Sequence, residues 1–317
     1  MTLTQLRYLT AIVDCGFSIS QAARVLHTSQ PGISRQIRLL EQQLGTAILA
    51  RNSGRIIGLT ESGARVVHTA RRVINDMESL ALMSQEYLTQ ESGTFTIGTL
   101  HTYALSLLPG ALAAMHAQYP QVVIDVRQIT LPQSIAQVQD GELDIAITIG
   151  EPPIESNLIA LHVVDIPLQL LVPEGHELTS RTDLGLADLL DYPMICLRSS
   201  TTSWGVSSVY KANGYDLRPA AYAMDASVMR SLVANGLGIA VLPASLPTVS
   251  GTETLPVSHL FPPSSINALI NPNRFVRGYV YAFLESLASQ WTRNEVDFEI
   301  RNALFGTPTA GVKKDKA

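Results

Sequence analysis

The feature that most constrains the fold is a pair of short helix-forming stretches joined by a tight turn near the N-terminus. Ser18 is placed to cap the first stretch, which ends at Leu26. Ser29 is placed to cap the second, and Pro31 falls in its first turn, where the missing N–H costs no hydrogen bond. The second stretch continues until Gly45 ends it. Two short helices connected in this way predict a helix-turn-helix.

The second stretch separates its apolar residues from its polar ones. The apolar residues recur at helical spacing and form a predicted core stripe of Ile33, Ile37, Leu40 and Leu44. The opposite face carries amide, hydroxyl and guanidinium groups from Gln30, Ser34, Arg35 and Arg38. Such a face can bind base edges and phosphates in the major groove of DNA. The same pattern also fits a plain three-helix bundle with a solvated polar face, whose remaining helix is predicted over residues 2–14.

A predicted β-hairpin follows the two helices. Residues 48–51 and 55–59 are suited to short strands around the turn sequence Asn52-Ser53-Gly54. Arg51 and Arg55 flank its tip. A hairpin beside a helix-turn-helix, called a wing, lies along the DNA backbone or the minor groove, where arginine meets phosphate. The wing therefore favours a DNA-binding domain over a plain helical bundle.

A long helix is predicted after the wing, from a cap at Thr60 to about Thr89. Its seam positions step alternately by four and three residues through Val66, Ala70, Val73, Met77, Leu80, Ser84 and Tyr87. A seam of this length favours pairing with the same helix of a second copy, which would present two recognition helices to a two-fold DNA site. Packing of the helix on its own domain is the alternative. Glu91-Ser92-Gly93 is predicted to form the hinge to the next domain.

The charge distribution separates the first quarter of the chain from the rest. Residues 1–72 hold nine arginines, no lysine and three acidic residues, a net charge of +6, whereas the remainder carries −11. A basic end on an acidic body is typical of a chain that meets a polyanion through one part only, although chance segregation gives the same numbers. The length of 317 residues allows two domains and a small third.

Hydropathy and cysteine content set the expected compartment. No apolar run approaches the roughly 20 residues of a membrane span, and the N-terminus lacks a basic segment leading into an apolar one. Cys15 and Cys196 are too few for a zinc knuckle or a disulfide framework. We therefore expect a cytoplasmic protein with no membrane association, no metal and no cofactor.

Strand and helix patterns alternate from residue 93 onward. Strands are predicted at 94–99, 122–128, 144–149, 166–172, 194–197, 239–242 and 266–270. Helices are predicted at 106–119, 134–139, 184–189, 207–213, 227–235 and 276–291. Such alternation predicts a parallel α/β architecture. The tail after Asn302 is predicted to be disordered.

The N-terminal motifs together resemble those of LysR-type transcriptional regulators. The resemblance rests on the runs 26–37 and 59–63, on Leu40-Glu41 and Leu44-Gly45, and on Arg51. It departs from the family pattern at two packing positions, Ile48-Leu49 and Ser62. It implies a DNA-binding transcriptional regulator whose partners are double-stranded operator or promoter DNA and, as a further candidate, RNA polymerase. The implied DNA-binding residues are Ser29, Gln30, Pro31, Ser34, Arg35, Arg38, Arg51, Ser53, Arg55 and Thr60.

The resemblance also implies the fold class, α/β with an N-terminal all-α winged helix-turn-helix. The expected domains are a DNA-binding domain over 1–59, a linker helix and hinge over 60–92, an effector-binding domain over 93–302 and a flexible tail over 303–317. The effector domain would resemble a periplasmic binding protein with two α/β lobes. Lobe one would cover 93–162 and 266–302, and lobe two 163–265. Family precedent implies a homodimer through the linker helix and a homotetramer of two dimers.

Within that family the sequence looks most like the CysB-like group, which controls sulfur assimilation. The likeness is carried by residues 99–103, Leu108-Pro109-Gly110, Tyr119-Pro120 and residues 274–284. It implies an activator of sulfur-assimilation or sulfonate-utilisation genes, switched by a small anionic effector between the lobes: sulfate, a sulfonate or an acetylserine-like compound. The implied effector-binding residues are Thr99, Leu100, His101, Thr102, Tyr103, Thr148, Thr201, Thr202 and Ser203.

Leu100 and Tyr103 stand where that group carries Thr and Gln. If both line the site, the pocket is more apolar and favours a bulkier organic anion. If both point into the core of lobe one, they carry no specificity. His101 would either pair with the anion when protonated or only orient the loop. Hydroxyls and free N–H groups at a strand-to-helix turn suit an anion in either case.

Other function classes match the sequence less well. It holds no G-x-S-x-G, H-E-x-x-H or Walker motif, and Gly236-Leu237-Gly238 lacks the third glycine of a dinucleotide loop. We therefore do not expect an enzyme, although an α/β enzyme with an accessory domain is one alternative. A solute-binding protein is another, against which the basic N-terminal segment and the lack of an export signal argue. A regulator of an unrelated catabolic operon that responds to an organic carboxylate stays open.

Overall fold

A computed structural model describes residues 1–52, 55–85, 92–198, 206–246 and 249–306. The chain divides into two units, Met1–Thr89 with Gln139–Glu142, and Gln90–Val138 with Leu143–Ala317. Within the described residues, no helix combines the length and the apolar character that crossing a lipid bilayer requires.

The first unit consists of helices around a core, with a hairpin beside them. The helices are α1 (Leu3–Asp14), α2 (Ile19–Val25), α3 (Gln30–Leu44) and α4 (Glu61–Gln85), and the strands are β1 (Leu49–Asn52) and β2 (Arg55–Leu59). β1 and β2 pair antiparallel, which confirms the predicted wing. The helix-turn-helix of α2 and α3 is confirmed as well.

Both helices of the helix-turn-helix begin at the predicted caps. Ser18 Oγ accepts a hydrogen bond from the Gln21 N–H, and Ser29 Oγ accepts one from the Gly32 N–H, both at 3.3 Å. Gly45 ends α3 with a left-handed φ of 66°, a conformation that favours glycine. Capping by local side chains therefore fixes these boundaries.

Apolar side chains from the helices and the wing form one core in the first unit. Ile33, Ile37 and Leu40 are buried in it, which confirms most of the predicted stripe of α3. The prediction is wrong for Leu44, whose exposed fraction is 39%. Leu44 is the last residue of α3, and Gly45 turns the chain before that side chain reaches the core.

The second unit contains the remaining described elements, apart from Gln139 and Asp140 at the end of one helix, which belong to the first unit. Its strands are β3 (Ser92–Thr99), β4 (Gln121–Gln128), β5 (Ile145–Ile149), β6 (Ile159–Ile166), β7 (Leu168–Pro173), β8 (Ile195–Leu197), β9 (Ala221–Ala223), β10 (Ala240–Pro243), β11 (Thr252–Pro256) and β12 (Ser264–Ile270). Its helices are α5 (His101–Ser106), α6 (Leu108–Gln118), α7 (Leu131–Asp140), α8 (Leu186–Leu189), α9 (Val206–Ala212), α10 (Ala226–Ala234), α11 (Gly278–Leu287) and α12 (Arg293–Phe305).

Two groups of strands define two lobes in this unit. Lobe one is a sheet in the order β4-β3-β5-β12-β6, in which β3 runs parallel to β4 and β5, while β12 runs antiparallel to β5 and β6. Lobe two holds the antiparallel sheet β10-β7-β11 and the parallel pair β8-β9. The α/β character is confirmed. The expected parallel pairing holds for β3 with β4 and β5 and for β8 with β9, and it is wrong for the pairs of β7 and β12. The alternation of strands and helices does not indicate the direction of strands whose partners lie far along the chain.

The chain crosses between the lobes at Pro167. The predicted strand 166–172 is in fact the end of β6 and most of β7, which belong to different sheets. The return crossing precedes Ser264, where β12 begins. The observed crossings are therefore near 167 and 262–263, whereas 163 and 266 were expected. A continuous apolar run in the sequence does not indicate where the chain leaves one sheet and enters another.

Two further boundaries differ from the predictions. Ser92 and Gly93, expected in the hinge, pair with β4 as the first residues of β3. The helix predicted over 276–291 ends at Leu287, and α12 continues the ordered chain past Asn302. Val296 of α12 is buried against lobe one, so packing extends the fold into the predicted tail.

Candidate functional site

The polar face of α3, formed by Gln30, Ser34, Arg35 and Arg38, lies opposite the buried stripe of the same helix. Gln30, Arg35 and Arg38 are exposed, and Ser34 is half-buried. The neighbouring predicted residues Ser29 and Pro31 are exposed at the start of the helix. The fold therefore brings six of the predicted DNA-binding residues together on one surface.

Polar contacts fix α3 against the other two short helices. Ser20 of α2 donates a hydrogen bond to Gln30 Oε1 at 3.3 Å. Nε2 of the buried Gln5 in α1 donates to Gln36 Oε1 at 3.1 Å. Gln30 belongs to the polar face and Gln36 adjoins it, so the two bonds limit how α3 can turn about its axis.

Glu41 joins α3 to the wing. Its Oε1 accepts hydrogen bonds from the N–H groups of Ile48 at 2.9 Å and Leu49 at 3.1 Å. Its Oε2 lies 3.9 Å from a guanidinium nitrogen of Arg51. Arg55, across the wing tip, is exposed. Ser53 falls outside the described residues.

Thr60 connects the start of α4 with the segment before the wing through hydrogen bonds of its hydroxyl. Its hydroxyl accepts a hydrogen bond from the Gly63 N–H at 2.9 Å and donates to the Ala47 carbonyl at 2.7 Å. The predicted cap is thus confirmed. Gly63 is buried, and a Cβ built on it would lie only 2.0 Å from the Ile48 carbonyl oxygen. Because the Thr60 hydroxyl both donates and accepts a hydrogen bond within this unit, the structure gives Thr60 a role in shaping the wing.

The start of α5, where the effector site is predicted, follows the carboxyl end of β3. Thr99 is buried, and its hydroxyl donates to the Ile147 carbonyl at 3.1 Å. Leu100 is the N-cap residue of α5 and supplies no side-chain hydrogen bond to the helix. His101 and Thr102 occupy the first turn and are half-buried.

Tyr103 belongs to the core of lobe one and does not face a cleft. Its exposed fraction is 1%, and it shares this core with Phe95 and Phe283. Burial raises the pKa of Tyr103 to about 12, partly offset by a hydrogen bond with Ser264. Leu100 also packs against this core. The effector-binding role of Tyr103 is therefore corrected, and its position follows the core alternative.

Helix α5 contacts lobe two at both of its ends. His101 Nε2 and Ser227 Oγ are hydrogen-bonded at 3.2 Å, and Ser245 Oγ donates to Ser106 Oγ at 3.1 Å. Ser227 lies in the first turn of α10, whose N-cap Asp225 accepts hydrogen bonds from two backbone N–H groups. The predicted residue His101 therefore lies where the two lobes meet.

Thr148 faces the opposite side of the sheet from Thr99. Thr99 is the register partner of Ile147, and side chains alternate along a strand, so Ile149 and not Thr148 shares the side of Thr99. Thr148 is 3% exposed, and its hydroxyl has no hydrogen-bond partner among the described residues. Thr201, Thr202 and Ser203 fall outside the described residues. Among the described residues, no group of three or more His, Cys, Asp or Glu side chains is arranged to hold a metal ion.

Two family models match the chain. The model described as "Bacterial regulatory helix-turn-helix protein, lysR family" matches residues 3–64, and the "LysR substrate binding domain" matches residues 89–292. The chain belongs to the LysR family. It is a LysR-type transcriptional regulator, as the resemblance of its N-terminal motifs implied.

Relatives of this LysR-type regulator match along nearly its whole length. The transcriptional regulator CysB of Haemophilus influenzae is 31% identical over 302 residues, which cover 94% of this chain and 93% of CysB. The transcriptional regulator SsuR of Burkholderia cenocepacia is 30% identical over 309 residues, which cover 96% and 100%. The solved cofactor-binding domain of the Cbl transcriptional regulator is 26% identical with a TM-score of 0.62 and covers 66% of this chain and 93% of that one. The likeness to the CysB-like group is thereby confirmed.

Sequence reasoning missed three residues that shape the sites of this LysR-type regulator. Gln5 and Glu41 hold α3 and the wing, and Ser227 meets His101. Glu41 gave a usable signal, because it is one of three acidic residues in the first 72 and lies in the middle of an otherwise basic helix. Ser227 gave none, since it is 126 residues from His101 along the chain.

Proposed function

We propose that this LysR-type regulator binds double-stranded operator DNA with the polar face of α3 in the major groove and the wing along the backbone. The observation that carries this proposal is the exposure of Gln30, Arg35 and Arg38 opposite a buried stripe. Side chains turned away from the core of their own domain can reach base edges. The charge of +6 over residues 1–72 adds attraction to a polyanion.

The exposed groups suit different parts of the duplex. The Arg35 guanidinium can bond both major-groove acceptors of guanine, and the Gln30 amide can bond adenine. Arg38, Arg51 and Arg55 suit phosphates, which position the protein without selecting a sequence. The smaller residues Ser29, Pro31, Ser34 and, at the wing tip, Ser53 complete the proposed interface.

The base contact of Arg35 is tested with Arg35→Gln and the matched variant Arg38→Gln. An operator is first selected from random duplexes with the wild-type protein, and dissociation constants are then measured for it and for single-base variants. We expect Arg35→Gln to lose about 1–3 kcal/mol, roughly 5- to 150-fold, and to relax discrimination at one base position. Arg38→Gln should weaken all duplexes alike. An equal loss on every duplex for Arg35→Gln would contradict base recognition by Arg35.

Pairing of α4 with a second copy fits the exposure of later seam positions, whereas the first seam positions pack on the core of their own unit. Ala70 is buried in the core of its own unit, and Val66 packs against that core. Val73 and Met77 are 38% and 46% exposed, which leaves apolar surface for a partner helix. The side chains of Leu80 and Ser84, and all of Tyr87, fall outside what the structure describes. A dimer would place two α3 helices on a two-fold operator, and a tetramer and contact with RNA polymerase follow family precedent.

A small anion bound between the lobes is the proposed signal. The likeness to CysB and SsuR over nearly the whole chain supports a regulator of sulfur-assimilation or sulfonate-utilisation genes. The geometry supports a site at α5, because no side chain caps this helix and its first residue meets lobe two. The proposed effector residues are Thr99, Leu100, His101, Thr102, Thr201, Thr202 and Ser203, without Thr148, which faces the other side of the sheet. An anion at His101 would change how the lobes meet, and so the spacing of the recognition helices.

The effector is sought by the shift in melting temperature of the purified protein. The panel holds sulfate, thiosulfate, O-acetylserine, N-acetylserine, alkyl and aryl sulfonates and matched carboxylates. A ligand that binds only the folded state raises stability with the logarithm of its concentration above Kd. We expect a shift with a sulfur compound that Thr102→Ala and Thr202→Ala abolish. A shift with a carboxylate alone would favour the second candidate, a LysR-type regulator of a catabolic operon.

A further inference from the structure

We infer that Glu41 positions the wing and neutralises Arg51, so that Arg55 is the wing arginine that binds phosphate. This inference rests on the proposed DNA binding and changes one part of it. The sequence places Arg51 and Arg55 symmetrically about the wing tip, which predicts equal roles for them. The structure makes them unequal.

The positioning role follows from the two hydrogen bonds that Glu41 accepts. Ile48 and Leu49 lead into β1, and their N–H groups bind the same carboxylate oxygen at 2.9 and 3.1 Å. Glu41 belongs to α3, the helix proposed to enter the major groove. One side chain thereby sets where the wing starts relative to the recognition helix, with charge-assisted hydrogen bonds that are stronger than neutral ones.

The neutralising role follows from the second carboxylate oxygen. Glu41 Oε2 lies 3.9 Å from Arg51, and the Glu41 side chain is 16% exposed whereas that of Arg51 is 37% exposed, so salt and water screen the carboxylate less than the guanidinium. A phosphate that captured Arg51 would leave a carboxylate near the DNA without its cation. Arg55 is exposed, and the described residues include no ion-pair partner for it. Its charge is available to the duplex.

The salt dependence of DNA binding counts the phosphates that each variant neutralises. The probe is a duplex of random sequence, and dissociation constants of the full-length protein are measured between about 50 and 200 mM salt. Each phosphate contact contributes about 0.9 to the magnitude of the slope of the logarithm of the dissociation constant against the logarithm of the salt concentration. We expect Arg55→Gln to make the salt dependence less steep, with the magnitude of this slope smaller by about 0.9 per bound protomer. Arg51→Gln should leave the slope unchanged.

Glu41→Gln should change the slope in the opposite direction from Arg55→Gln. It also distinguishes an effect of the Glu41 charge from an effect on the folding of the wing. The Gln amide oxygen can still accept the Ile48 and Leu49 N–H bonds, while the freed Arg51 should raise the slope by about 0.9 per protomer. The double variant Glu41→Gln/Arg51→Gln should return to the wild-type slope. Glu61→Gln is the matched control, because it removes the same charge from the first turn of α4, and the structure gives Glu61 no ion pair with the wing.

Several outcomes would overturn the inference. One is a slope that falls as much in Arg51→Gln as in Arg55→Gln. Another is an equal rise in Glu41→Gln and Glu61→Gln, which would assign the effect to net charge alone. Amide exchange over residues 46–52 tests the positioning role: Glu41→Ala should exchange faster than Glu41→Gln, and equal rates would contradict it. A wild-type protein that fails to bind any duplex would instead refute the proposed function.

Discussion

Gly63→Ala is predicted to destabilise the first unit, although helix propensity alone predicts the reverse. Gly63 lies in the first turn of α4, and alanine in a helix is favoured over glycine by about 0.5–1 kcal/mol. The new Cβ would stand 2.0 Å from the Ile48 carbonyl oxygen and 2.8 Å from its carbon. Ordinary contact begins at about 3.4 Å, so the Ile48 backbone must move by more than 1 Å.

The free-energy cost of moving the Ile48 backbone follows from the hydrogen bond that its carbonyl accepts and from the crowding of the site. This oxygen accepts the Thr60 N–H at 3.0 Å, and a shift of that size weakens the bond, at a cost of about 1 kcal/mol. Crowding of a packed site adds about 1–3 kcal/mol. After the gain in propensity, the net loss is about 2 kcal/mol. For a unit of this size that corresponds to a fall in Tm of roughly 8–16 °C.

The measurement is amide hydrogen exchange over residues 46–64. The sequence of the first unit, residues 1–89 with 139–142, contains no tryptophan, so tryptophan fluorescence is not a direct probe of it. A loss of about 2 kcal/mol makes exchange about thirtyfold faster in this segment. Gly58→Ala is the control, because a Cβ at Gly58 meets nothing within 4 Å. If Gly63→Ala exchanges as slowly as the wild type or Gly58→Ala, the close approach to Ile48 does not constrain this position.

Two further predictions concern the second unit. Burial raises the pKa of Tyr103, Tyr210 and Tyr279 to about 12, so the unfolded chain releases their protons from about pH 10 while the folded chain keeps them. The free energy of unfolding, measured in urea, should therefore fall as the pH rises from 10 towards 12, and it should fall less steeply in Tyr103→Phe. If the pH dependence of that variant equals that of the wild type, the ionisation of Tyr103 does not contribute to it. Asp225→Ala should lower stability by about 1 kcal/mol through loss of the α10 cap, whereas Asp216→Ala, at an exposed pair with Arg218, should change it by less than about 0.5 kcal/mol. Equal losses in the two would refute the capping role.

Local signals in the sequence predicted the first unit almost completely. Ser18, Ser29 and Gly45 act on residues within one helical turn, and such short-range rules transfer directly from sequence to structure. The alternation of strands and helices likewise predicted the α/β character of the second unit, whereas its division into two lobes was implied by the family resemblance. The polar face of α3 could be predicted for the same reason, since a helix of known register divides its residues between core and solvent.

Features that depend on distant partners could not be predicted. The core position of Tyr103 depends on Ser264 and on strands that return from far along the chain. Thr148 lies on the opposite side of the sheet from Thr99, and this follows from the pairing of β3 with β5, because a shift of one residue on a strand moves a side chain to the other face. The unequal roles inferred for Arg51 and Arg55 depend on Glu41, which lies on another element.

The position of the two crossings makes lobe two a contiguous insertion in the gene. Everything from Leu168 to residue 263 lies between β6 and β12, and these two strands are antiparallel neighbours with Ile166 and Ser264 as register partners. Directly opposed residues of such strands have Cα atoms about 5 Å apart. A two-residue Asn-Gly turn in place of residues 167–263 would thus close a simple hairpin. Lobe one could be produced as a separate domain, and a different lobe could be spliced into the same junction.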